Sequence, residues 1–409
     1  MGRRQILAIA GALVFLVVAG TAFVLSVGDG GGDRSAAAGP DALPLADEDL
    51  TETWGTYVDG LVGSPAPSRR LDEAIDIRAL AGRSLPAEAT EAQRSGFVQG
   101  VADGASESPG LLMQIHRAAQ RGDRIHFQGV AERDGQPVAR FRQILAQGGV
   151  NFYDFLVAEH AEDSAPEPGG VPARGVDFFS LTTGRWQSEV VADLFRRGVL
   201  EGPNPLERAM GQDNPLTDHG DAIGTMADLV RQERFEEALT HYDSLPSSVQ
   251  QLRIIFGLRV DAAASAGDPA RYLRILDEFA GHFPDDPAIR VRLLDAHFER
   301  EQWDEALEDL RVIRGLFDDP YWSASEAQIA LERGQPQHAL ELAETMIEED
   351  PSLVEGPDTA LMAALALDDT DKAAEYAALL RDEYGIRLTI LEGLPGYEGL
   401  RGLDVPPAD

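Results

Sequence analysis

His126, Arg140 and Arg142 fall where one face of a short sheet would gather them, and Asp154 and Asp177 sit amid aromatic residues on the segments that follow. A carboxylate buried beside a histidine has its pKa raised and can act as a general base. The same residues read equally as ion pairs between neighbouring strands, which leaves no catalytic role. Little else in the chain supports chemistry. The eight histidines, at positions 116, 126, 160, 219, 241, 282, 297 and 338, are scattered, and no pair has metal-helix spacing with a glutamate between. His297 falls at a packing position and reads as core. There is no Gly-x-Ser-x-Gly elbow and no phosphate loop ending in Gly-Lys-Ser or Gly-Lys-Thr. Cysteine is absent, which excludes thiol chemistry, disulfides and a lipid-modified cysteine anchor. No catalytic, metal-ligating or cofactor-binding residue is assigned. An enzyme of hydrolase type, using His126 with Asp154 or Asp177, is the weakest of three functional readings.

Residues 53–200 must position these groups, and they read as α+β. Leu71 to Leu80 and Leu111 to Ala118 have helical spacing. The period then changes to two. Arg124 to Arg133 alternates, Asp134-Gly135 is a favoured hairpin turn, and the returning strand sets Val138, Arg140, Arg142 and Ile144 against Ala139, Phe141 and Leu145. Strands over 151–160 and 174–183, joined by a loop rich in Pro and Gly, complete a four-stranded antiparallel sheet with helices on one face. Trp186 to Arg197 reads as a further helix. In element order alone this resembles the nuclear-transport-factor-2-like folds and some periplasmic lipid-binding domains. That resemblance implies a cleft between sheet and helices for a lipid or other apolar ligand, with Phe152, Phe155, Phe178, Phe179 and Trp186 lining it. The plainer reading makes these aromatics core.

The C-terminal half carries a repeat. Ala238, Tyr272, Ala306, Ala339 and Ala373 recur at spacings of 34, 34, 33 and 34 residues, each early in a helical, acid-rich segment. Gln302-Trp303-Asp304-Glu305-Ala306-Leu307 matches Arg234-Phe235-Glu236-Glu237-Ala238-Leu239, and Gly334 to Leu340 fills the same slot. Units this short cannot bury their apolar faces alone and must stack. These residues resemble the tetratricopeptide repeat family over residues 218–385, in about five units, with Glu301 and Tyr272 departing from the family pattern. The resemblance implies an all-α helical-repeat solenoid with a concave face. Groove positions carried over from the family are Asp261, Asp295, Phe298, Tyr321, Gln328 and Leu331. No cation is among them, so a clamp for acidic peptide termini is not expected. Asp261 and Asp295 also read as ordinary exposed residues of an acidic protein. Leu388 to Leu403 in the tail, residues 386–409, are expected to cap the last repeat.

Residues 6–27 carry no charge across 22 positions, enough to cross a ~30 Å hydrocarbon layer. Arg3 and Arg4 precede them and aspartates follow, so residues 1–28 are expected to form a transmembrane anchor with a cytoplasmic N-terminus and the bulk periplasmic. A cleaved signal peptide, with Ala36-Ala37-Ala38 as a cleavage site, is the competing reading. Residues 29–52 and 201–217 have linker composition. Seventy acidic residues against 35 basic ones, of which only Lys372 is lysine, give a net charge of -35. Such a charge repels phosphate backbones, so no nucleic acid is expected, and partners should be neutral, basic or apolar. The sequence thus predicts a membrane-anchored, extracytoplasmic scaffold of a bacterial envelope that binds a protein or peptide. A carrier of an apolar ligand is the alternative.

Overall fold

Asp47 accepts a hydrogen bond from the Leu50 amide at 2.9 Å and starts helix α1 (Glu48–Val62), where Glu48 and Asp49 suit the positive end of the helix. The structure, a computed structural model, describes residues 43–405 apart from 67, 107–109, 147, 161–169, 197–218, 285 and 287. It divides into two units, one reaching Ile289 and one beginning at Arg290. In the first unit α1 buries Thr51, Trp54, Gly55, Val58 and Val62 along one stripe. Gly55 permits close approach to the sheet, since a Cβ there would fall 2.3 Å from the Phe127 ring. Helices α2 (Arg70–Glu73), α3 (Ile77–Arg83), α4 (Glu91–Ser106) and α5 (Leu111–Gln120) follow.

The single helix expected over 71–80 is broken between α2 and α3. Gly175 donates to the Ala74 carbonyl and Asp76 donates to the Gly175 carbonyl, both at 2.8 Å, and the Trp54 indole donates to the Ala74 carbonyl at 3.3 Å. Pairing with a distant strand overrides the helical period. Residues 44–46 also pair with that sheet, through Ala46 to Val157 at 3.0 Å and Glu159 to Pro44 at 2.9 Å, although composition places them in a linker.

Strands β1 (Arg124–Arg133), β2 (Gln136–Ile144), β3 (Val150–Ala158), β4 (Arg174–Ser180) and β5 (Arg185–Trp186) form one antiparallel sheet in sequence order, and helix α6 (Gln187–Phe195) follows. Asp134 and Gly135 both have positive φ in the turn between β1 and β2. One face of the sheet, with Phe141, Tyr153, Phe155 and Phe178, packs on the helices. The opposite face buries Val138, Leu156, Ala158 and Val176 as a smaller cluster.

Two features correct the expected fold class. The sheet has five strands, not four, because Gly184 at φ 60° turns the chain back and Trp186 pairs with Phe179 before any helix begins. The expected anchor over residues 6–27 lies outside the described residues, as does the expected linker over 201–217. Among the described residues no helix is long and apolar enough to cross a membrane. A single-pass membrane protein with a periplasmic bulk is therefore not supported.

The first unit continues with α7 (Gly220–Arg231), α8 (Phe235–Ser244), α9 (Ser247–Gln250), α10 (Arg253–Ser265) and α11 (Pro269–His282). The second contains α12 (Ile289–Glu299), α13 (Trp303–Leu316), α14 (Trp322–Glu332), α15 (Pro336–Glu349), α16 (Glu355–Ala366), α17 (Thr370–Asp382), α18 (Leu388–Leu391) and a 3-10 turn (Glu398–Gly402). Ala238, Tyr272, Ala306, Ala339 and Ala373 are all buried, each on the second helix of a pair. A backbone signature recurs at the same period. Glu233, Gly267, Glu301, Gly334 and Asp368 all have positive φ, at successive differences of 34, 34, 33 and 34. In four of these turns the next amide donates to the carbonyl five residues back, as from Gln302 to His297 at 2.8 Å, which closes the first helix of the pair. In the second unit Leu391, Tyr397 and Leu400 of the tail share a core with Ala364, Ala377 and Leu380.

The left-handed conformation costs a side-chain-bearing residue roughly 1–2 kcal/mol, which glycine avoids. Exposed Glu233 adopts this conformation, at φ 59°. Glu233→Gly is expected to stabilise the first unit by about 1 kcal/mol in urea unfolding. Unchanged or lower stability would count against a strained turn.

Candidate functional site

The sheet groups form an ion-pair cluster. Register places Asp154 of β3 opposite Arg140 of β2. The fully buried Asp154 carboxylate accepts from Arg140 Nε at 2.8 Å and Nη2 at 2.9 Å, and from Arg133 Nε at 2.7 Å. The Arg133 guanidinium also lies 3.8 Å from the centre of the Phe179 ring. His126 is exposed and stands opposite Arg142 in register; among the described residues no hydrogen bond joins it to Asp154 or Asp177. Asp177 has a different task. Its Oδ1 accepts from the Ser188 amide at 3.0 Å and its Oδ2 from the Ser188 hydroxyl at 2.5 Å, so it caps α6 from a neighbouring strand. Burial raises its pKa, and these hydrogen bonds with Arg83, 3.6 Å away, oppose the rise.

The five aromatics proposed for an apolar cleft divide between the two faces of the sheet. Phe155 and Phe178 lie 5.8 Å apart in the helix-side core. Phe152, at an alternate position, and the Phe179–Trp186 pair, at 5.9 Å, belong to the opposite face. The structure does not bring all five to one cleft.

Of the groove residues, Asp261 is buried on α10 in the first unit, and the other five lie in the second. Phe298 on α12 is half-buried, edge-on to Trp303 at 5.6 Å. Tyr321 packs edge-on to Trp322 at 5.6 Å just before α14, which carries half-buried Gln328 and Leu331. Asp295 is only 7% exposed, and its Oδ1 has no hydrogen-bond partner.

No family model, curated protein or solved structure matches this chain.

A second buried aspartate, Asp309 on α13, shows how this unit satisfies a structural carboxylate. Its Oδ1 accepts from Arg290 Nη1 at 3.0 Å, and its Oδ2 lies 2.7 Å from His297 Nδ1, both partners coming from α12. Sequence reading placed His297 in the core but missed this pair. The available signal was Asp309 itself, an acid one turn after the buried anchor Ala306. Asp295 has no such partners. Burial pushes its carboxyl well above the usual 3.8, Arg292 pulls it down by charge, and Glu299 pushes it up.

A carboxyl raised on folding is held protonated more tightly by the folded chain. Its stability contribution is complete below the unfolded value of about 4 and is lost as pH rises through the folded value. Asp295→Asn is therefore expected to be more stable than the wild type at neutral pH, with the difference vanishing below about pH 4. Urea unfolding at both pH values measures it. A variant weaker than the wild type at neutral pH would show that Asp295 is structurally compensated.

Proposed function

We propose that this chain is a binding protein of the tetratricopeptide-repeat kind, and that the α12–α14 face of its second unit holds a protein or peptide segment. The observation that carries the reading is Asp295, a buried carboxylate whose Oδ1 has no hydrogen-bond partner, one helical turn before half-buried Phe298. A group left this way lowers stability, and a bound partner can supply what the fold does not. The recurring turns and buried anchors support the repeat assignment. The strongly acidic surface favours a basic or apolar partner over a nucleic acid.

A photoreactive residue at Phe298 in the full chain, compared with one at exposed Gln128 on β1, tests this. A discrete peptide or protein adduct at Phe298, outcompeted by excess unlabelled chain, is expected. Adducts indistinguishable from those at Gln128 would remove the groove reading.

A further inference from the structure

Helix α12 presents two aspartate environments on opposite sides. Arg290 and His297, seven residues apart, both reach Asp309 and so define the line along α12 that faces α13. At 3.6 residues per turn, Asp295 lies about 150° around the helix from that line. It therefore faces away from the helix with which α12 is paired. On that side it remains 7% exposed, with Oδ1 unpartnered. Arg292 and Glu299 influence it by charge, but neither hydrogen bonds it.

The contrast with Asp309 matters. A buried carboxylate is tolerable when cations and hydrogen bonds surround it, and the fold provides both for Asp309. For Asp295 it supplies only the charge of Arg292 and leaves Oδ1 without a hydrogen bond, although the two residues belong to one helix pair. Phe298, one turn on from Asp295, offers a half-buried aromatic surface alongside. A carboxylate next to an aromatic ring matches a guanidinium, which is planar, bonds carboxylates through two N–H groups and stacks on aromatic faces. It matches an ammonium less well, because lysine is more strongly hydrated and bonds as a point charge.

We infer that Asp295 receives an arginine side chain from an otherwise apolar peptide segment, with the arginine stem or guanidinium laid against Phe298. This rests on the groove reading above and names the residue that the groove selects. The net charge of -35 would draw such a segment in.

A random peptide library selected on the immobilised full chain, followed by affinity measurement on the strongest binder, tests the inference. Enriched peptides should share one arginine between apolar residues. Replacing that arginine by citrulline, which keeps its shape and loses its charge, should weaken binding at least about thirtyfold. Asp295→Asn should weaken it equally, and the two changes together should do little more than either alone. Replacement of the arginine by lysine should retain only part of the affinity. The variant's melting temperature, expected to equal or exceed that of the wild type, separates lost contact from lost fold. Peptides that need Phe298 but carry no required arginine, or that bind Asp295→Asn unchanged, overturn this inference and leave the groove intact. A library with no enrichment, or with binders that Phe298→Ala leaves unaffected, removes the groove reading and this inference with it.

Discussion

Trp54→Ala is expected to cost the first unit about 4 kcal/mol, the upper range for deleting a large buried aromatic. Trp54 is fully buried, edge-on to Phe141 at 6.3 Å and tilted against Phe155 at 5.4 Å. Its indole also donates to the Ala74 carbonyl, which accepts the Gly175 amide and so joins the break between α2 and α3 to β4. The loss therefore combines a cavity with an exchange of tertiary partners at one carbonyl. Trp54→Phe should restore most of the packing and still lack the indole bond, leaving a cost of about 1–2 kcal/mol. Urea unfolding followed by near-ultraviolet circular dichroism measures both. A loss below about 2 kcal/mol for the alanine variant would mean that the sheet and α1 relax into the space.

What was legible in the sequence was periodic or chemically local. The repeat could be read because an anchor recurs at a fixed interval, and each anchor is buried on the second helix of its pair. The turn after β1 could be read because Asp134-Gly135 suits two consecutive positive φ values. The turns at Glu233, Glu301 and Asp368 were hidden, because the backbone takes there a conformation that glycine would have announced. The break at Ala74–Asp76 was hidden for another reason: its hydrogen-bond partner, Gly175, lies a hundred residues away in sequence. The fifth strand is two residues long, too short for a period of two to show. In the candidate groove the residue types suggested an acidic edge, but Asp295 is almost buried. Its significance comes from the missing partner, which no spacing rule reveals.

Asp154→Ala carries the other large expected effect, a loss of about 3–5 kcal/mol, because it leaves two guanidiniums without their shared carboxylate. Arg133 and Arg140 have side chains only 12% and 17% exposed, so water makes up only part of what the carboxylate supplies. Arg133 is further held over the Phe179 ring. The charge arithmetic predicts a rescue. Replacing Arg133 and Arg140 by methionine in the Asp154→Leu background removes all three charges and fills similar volume, and should recover most of the lost stability. A cluster whose only task is to neutralise its own charges is replaceable in this way. Thermal and urea unfolding of the single and triple variants decides the matter. If the triple variant stays as unstable as Asp154→Ala, the cluster does more than pair charge, and the sheet face that Asp154 shares with Phe179 becomes the place to look for chemistry.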